Sequence, residues 1–259
     1  MGFVSVNNKI IHFQSVCEEY YNESTLFAVF LHEGLGSVEL WKDFPGKVCS
    51  ALKLPGLVYD RYGYGKSEGF SEERSIGYLE EEAKIYLPEL IRKLSINNPL
   101  LLIGHSDGAS IALIYAGLNR NIAGVVSIAA HVFIEDESRN GIHKAIHSFE
   151  NANLKKQLEK YHGTNTDSMF YGWAKTWISE NSFDWNIEHY LNGIACPVLI
   201  IQGTEDQYGT RLQIDSIASN SGGNNQVLFI PDCGHAPHFE NENLMLESIK
   251  KFHNVIKNV

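Results

Sequence analysis

Ser106 stands between two glycines, in Gly104-His105-Ser106-Asp107-Gly108, and that setting suits a nucleophile. A serine hydroxyl is weak at neutral pH and needs a base within hydrogen-bond reach, with a third group to orient the base. The apolar run at 100–103 has the length of a buried parallel strand. Beyond the turn, Ile111, Leu113, Ile114, Tyr115 and Leu118 recur at helical spacing, with Ala109 and Ala112 as small residues between them. Strand, Gly-x-Ser-x-Gly turn and helix make a nucleophile elbow. Residues without side chains let the strand and the helix pass closely there. The turn also sets Ser106 at a helix N-terminus, where free amides stabilise developing negative charge.

The base is sought among eleven histidines. His235 closes the loop Pro231-Asp232-Cys233-Gly234-His235, which leaves a strand read at 226–230. In an open α/β sheet, reacting groups sit on such loops beyond the strands' C-terminal ends. His105 precedes the serine and should point into the fold, and His238 suits a supporting or helix-capping role. The orienting acid is Asp206, in Gly203-Thr204-Glu205-Asp206-Gln207 after a strand at 197–201; Glu205 beside it points differently. An oxyanion would be met by the amide of Asp107 and one from the Gly34-Leu35 turn.

The elements that must position these groups alternate along the chain. Residues 4–16 read as edge strands around a turn at Asn7-Asn8, followed by strands at 26–31, 56–59, 100–103 and 123–130. Helices are expected at 41–54, at 75–94 with a kink or break at Pro88, at 211–218 and at 243–256. Alternating strands and helices imply an α/β fold with a doubly wound, mostly parallel sheet. From 134 to 195 the alternation stops, and helices at 135–149, 153–162, 167–179 and 183–192 take over. This reads as a helical cap inserted late in the sheet, with 1–133 and 196–259 as the core. Most of the cap's aromatic residues form its own small core, while Trp173 and Trp177 are candidates to line a pocket. His131, at a strand end, either faces substrate or makes a structural hydrogen bond.

Composition excludes several classes. A net charge of −10 argues against nucleic acid or an anionic membrane as partner and favours neutral or cationic small molecules. No apolar run reaches the roughly 20 residues of a membrane helix, and residues 1–13 lack the pattern of a signal peptide. Four cysteines without paired spacing, at 17, 49, 196 and 233, form neither a disulfide framework nor a zinc site and suit a reducing cytoplasm. Gly65-Lys66-Ser67 resembles the end of a phosphate-binding loop, but Asp60 stands where its first glycine is needed. Gly63-x-Gly65 fails as a dinucleotide fingerprint because Glu68 holds the third glycine's place.

His32-Glu33-Gly34-Leu35-Gly36-Ser37, Asp60-Arg61-Tyr62-Gly63-Tyr64-Gly65-Lys66-Ser67, the Ser106 elbow, 203–206 and Gly234-His235 resemble the successive landmarks of the α/β-hydrolase superfamily. Ser106-Asp107-Gly108, with the run 131–138, is similar to the biphenyl-hydrolase-like (valacyclovir hydrolase) branch. The resemblance implies hydrolysis of a small-molecule ester or amide through an acyl-enzyme, with no metal or organic cofactor. Glu33 departs from the superfamily's usual glycine and puts a carboxylate near the cleft. Asp107 either caps its own helix or faces the cleft and pairs with a substrate ammonium. The related branch's preference for α-amino acid esters points to the second. Carbon–carbon bond hydrolases, a lyase of menaquinone synthesis and a non-catalytic ligand receptor share the fold and stand as alternatives.

Overall fold

The computed structural model describes residues 1–71 and 73–257. The chain opens with a hairpin, β1 (Gly2–Val6) and β2 (Lys9–Val16), whose two turn residues, Asn7 and Asn8, both have positive φ, 46° and 61°. Asparagine tolerates that conformation, and a two-residue turn of this hand matches the twist of the strands. Then follow β3 (Phe27–Leu31), α1 (Phe44–Leu52) and β4 (Gly56–Tyr59). The sheet has eight strands in the order β1-β2-β4-β3-β5-β6-β7-β8, with β5 at Leu100–His105, β6 at Ile122–Ile128, β7 at Val198–Gly203 and β8 at Asn225–Ile230. Among the described residues of the sheet, β1/β2 and β2/β4 pair antiparallel and the other neighbours pair parallel.

The continuous apolar runs follow from burial on both faces. Along β5, Leu100 and Leu102 enter one core, and Leu101 and Ile103 enter the other. A strand covered on both sides has no position to give to a polar residue.

Pro88 leaves a specific mark on the helix expected at 75–94. That segment begins later and divides into α2 (Tyr78–Glu81), a π-helical turn (Glu82–Tyr86) and α3 (Leu87–Lys93), with Pro88 in the first turn of the last piece. Proline cannot donate to the ladder and crowds the carbonyl one turn back, so the turn before it widens.

After the helix α4 (Asp107–Leu118) and β6, the chain runs through α5 (Asp136–Asn151), α6 (Leu154–His162) and α7 (Thr166–Ile178) before returning to β7. These three helices lie where they were expected. The fourth is much shorter, α8 at Glu188–Leu191, preceded by a 3-10 turn at Glu180–Ser182. Asn186 Oδ1 accepts the Glu188 amide at 2.8 Å and starts the helix there, while Asn186 itself pairs as an extended bridge with Phe133. The chain ends with α9 (Arg211–Asn220), α10 (Pro237–Glu240) and α11 (Glu242–Ile256). Among the described residues no helix is long and apolar enough to cross a membrane.

Two buried histidines make stability depend on pH. Burial and the adjacent Arg61 charge push His32 down to about 3, and burial pushes His253 down to about 4. The unfolded chain takes up these protons near pH 6.5 and the folded chain does not, so the stability they contribute is present above that pH and is lost on acidification. At pH 5 the loss is about 2 kcal/mol for each. Thermal melts between pH 7.5 and 4.5 are expected to show Tm falling by about 10–20 °C, and His253→Leu to flatten part of that slope.

Candidate active site

Ser106 holds a conformation that a residue with a side chain rarely adopts, φ 52° and ψ −118°, at the junction of β5 and α4. Its amide is fixed to the Ile128 carbonyl at 2.8 Å. The flanking glycines are required by backbone crowding: a Cβ on residue 104 would lie 2.3 Å from the Gly108 carbonyl oxygen. One on residue 108 would lie 1.9 Å from that of Leu31. Asp107 opens α4, so its amide has no acceptor within the helix.

Asp206 and His235 come together across loops that leave β7 and β8. His235 Nδ1 donates to Asp206 Oδ1 at 2.7 Å, and the Tyr208 amide donates to the same oxygen at 2.9 Å. Burial would raise the Asp206 carboxyl, but the nearby His235 and these bonds outweigh it and hold the carboxyl below its ordinary range. With Nδ1 committed, Nε2 is the nitrogen free to exchange a proton. Ser106 and His235 line one cavity of about 450 Å³. Glu205 is exposed beside Asp206. His105 lies behind His235, donating from Nε2 to its carbonyl at 2.8 Å, and His238 is buried against Trp41 and Phe44.

The same cavity takes in Glu33, Gly34, Leu35, Asp107, His131 and both Trp173 and Trp177. The His131 amide and carbonyl bond Ser110 Oγ, and its ring lies 6.1 Å from that of His235. Burial holds that ring neutral, below the ordinary histidine range. Trp173 packs against Gly34. Glu33 places Oε2 3.5 Å from His105 Nδ1; burial opposes its ionisation, but His105 prevails and holds the carboxyl low.

Asp107 adopts an arrangement outside both expectations. Its Oδ2 accepts from Arg61 Nη1 and Nη2 at 3.3 Å and from the Tyr78 hydroxyl at 2.6 Å, and it caps no helix amide. Trp177 Nε1 donates in turn to the Tyr78 oxygen at 2.7 Å. Burial and the Asp107 charge push the Tyr78 phenol well up, so it stays protonated as donor. A buried guanidinium therefore neutralises the carboxylate that would have anchored an ammonium.

Two further histidines complete the surroundings. His32 Nδ1 donates to the Glu33 carbonyl at 2.8 Å, and its Nε2 accepts the Arg61 amide at 3.1 Å. His162, from α6, donates from Nε2 to the Leu35 carbonyl at 3.0 Å and accepts the Gly65 amide on Nδ1 at 2.9 Å. Spacing in the sequence gives no signal for either, since Arg61 for His32 and both partners of His162 lie on other segments.

A strained serine at a strand-to-helix turn, on a mostly parallel eight-stranded sheet, defines the α/β-hydrolase fold. Residues 28–245 match the Alpha/beta hydrolase family, and the chain belongs to it. It is 25% identical over 225 residues to the lysophosphatidylserine lipase ABHD12 of Danio rerio, covering 83% of this chain and 53% of that protein. The chain thus spans about half the length of that relative. Its fold is that of a thermophilic esterase from Thermogutta terrifontis, with a TM-score of 0.73, 16% identity and 98% of each chain covered. It is also that of the meta-cleavage product hydrolase CumD of Pseudomonas fluorescens, with a TM-score of 0.74, 14% identity and 98% and 97% covered.

Proposed function

We propose that this chain is a serine hydrolase of small carboxylic esters. Ser106 is the nucleophile, His235 the base and Asp206 the acid that orients it. The Asp107 amide, with that of Gly34 or Leu35, meets the oxyanion. The observation that carries this reading is the Asp206–His235 pair, closed at 2.7 Å on the rim of the cavity that Ser106 enters at a helix N-terminus. In the first step Ser106 Oγ attacks the ester carbonyl while His235 Nε2 takes its proton. The same proton then goes to the departing alcohol, and water repeats the sequence on the acyl-enzyme. The segment 134–195 acts as the cap, since Ile134, Ser138, Ile142, Trp173 and Trp177 close the cavity from that side.

Charge narrows the substrate. The described cavity lining contains the carboxylates of Glu33, Asp107 and Glu240 and no lysine or arginine. Arg61 answers Asp107 and leaves Glu33 facing the cleft. Neutral or cationic acyl groups fit this lining; an acid substrate meets carboxylates there and no lysine or arginine to pair with, which also weighs against a carbon–carbon hydrolase of acidic substrates. Initial rates on matched p-nitrophenyl acetate, butyrate and hemisuccinate esters, and on valine and phenylalanine esters, test the reading. The hemisuccinate is expected to be at least about tenfold slower in kcat/KM than the butyrate. A faster hemisuccinate would contradict it.

The orienting acid gives a separate expectation. Asp206→Asn keeps the shape of the loop but lets His235 take the other tautomer, and kcat is expected to fall by roughly 10⁴-fold with little change in Tm. A loss of less than about tenfold would assign the acid's role elsewhere.

A further inference from the structure

We propose that Arg61 is the positioning residue for the oxyanion hole, holding its two halves at once, and that Tyr78 and Trp177 tie the cap to the same strut. The proposal rests on the hydrolase reading above and deepens it.

The guanidinium is almost fully buried and divides its bonds between two segments. Toward the loop after β3, Nη2 donates to the Glu33 carbonyl at 2.7 Å. Toward α4, both terminal nitrogens reach Asp107 Oδ2. The first bond controls a catalytic donor through covalent geometry. The Glu33 carbonyl and the Gly34 amide belong to one peptide unit, and in a trans peptide the C=O and N–H point in opposite directions. A carbonyl drawn down to Arg61 therefore aims the Gly34 N–H the other way, and Gly34 lines the cavity. The Gly36 amide and His32 Nδ1 bond the same carbonyl and limit its rotation further. On the other side, anchoring the Asp107 side chain fixes the first residue of α4, whose free amide is the second donor. Oxyanion donors act only when held in advance at the place where charge develops, so a group that sets both at once acts on the transition state more than on the bound ester.

The network then reaches the cap. Tyr78 donates to Asp107 Oδ2, and Trp177 of α7 donates to Tyr78, so the wall that Trp177 forms is set relative to the donors. A lysine at 61 keeps the charge, but its single ammonium cannot span both acceptors in the planar, forked geometry of a guanidinium.

The test compares Arg61→Lys with the wild type in ester turnover and in binding of two ketones of one shape. One is a trifluoromethyl ketone, which Ser106 converts to a hemiketal oxyanion, and the other is the methyl ketone, which forms none. Arg61→Lys is expected to lose on the order of 10- to 100-fold in kcat with KM within about threefold. The trifluoromethyl ketone should weaken by the same factor while the methyl ketone does not. A folded variant with wild-type kcat, or equal weakening of both ketones, overturns the proposal. Arg61→Met/Asp107→Leu removes both charges and covers the case in which the lysine variant does not fold. It leaves the Glu33 carbonyl without its arginine, so slow turnover with normal methyl ketone binding supports positioning, and restored kcat overturns it. Failure of both variants to fold assigns the network to stability and also overturns it. A wild type that turns over no ester and is not labelled at Ser106 fails earlier, at the hydrolase reading itself.

Discussion

Ser106→Ala is expected to lower ester turnover by roughly 10⁴- to 10⁶-fold in kcat while the protein melts at or above its original temperature. The two halves of this expectation have separate causes. Activity falls because the acyl-enzyme cannot form and only water remains to attack, with the oxyanion donors and the binding pocket still present. Stability is kept because the serine hydroxyl is not what holds the turn. Its amide bond to Ile128 and the carbonyl bonds to Ala109 and Ser110 belong to the backbone and remain in alanine. Circular dichroism melts beside initial rates on p-nitrophenyl acetate read both. A variant that keeps more than about a tenth of wild-type kcat would remove Ser106 from the chemistry.

Gly108→Ala is expected to prevent folding. The added methyl would sit 1.9 Å from the Leu31 carbonyl oxygen and 2.3 Å from its carbon. Both are backbone atoms of a central strand, where β3 is paired to β4 on one side and β5 on the other, so no side chain can rotate away to make room. Separation of α4 from β3 would open the core that Ala109, Ala112 and Leu31 share. The cost exceeds about 4 kcal/mol, beyond the usual range for a single substitution. Gly46→Ala supplies the control, since residue 46 lies in α1 with nothing within 4 Å of the added atom. There alanine should be neutral or stabilising by up to about 1 kcal/mol. The measurement is soluble yield and urea unfolding of both variants. A Gly108→Ala protein with a wild-type midpoint would mean that strand and helix do not approach so closely.

The fold was legible because its strands are buried on both faces. Uninterrupted apolar runs such as 100–103 announce a parallel sheet, and Gly104 and Gly108 announce the close crossing that Ser106 occupies. Asp206 follows such a run by a few residues, and His235 follows the half-buried edge strand β8 in the same way. The kink at Pro88 was legible in position, and its form, a π-helical turn just before the proline, was not. The helix expected at 183–192 fails because Asn186 is extended against Phe133 and its side chain accepts the Glu188 amide, a local choice that hydrophobic spacing does not record.

Arg61 was hidden for a different reason. In the sequence it sits among glycines that invite comparison with phosphate-binding loops, and nothing there tells that its side chain turns beneath the loop at Glu33 to meet Asp107, 46 positions away. Local patterns report which face a residue takes; they do not report which buried charge answers which. The same limit explains why Asp107 was assigned either to its own helix or to a substrate when its partner lay in another loop.

Active-site titration with a fluorophosphonate, followed by intact and peptide mass spectrometry, tests the central claim most directly. The account predicts one equivalent of label, on Ser106, with labelling slowed in His235→Ala and absent in Ser106→Ala. A folded protein that takes up no label, or carries it on another serine, would contradict it.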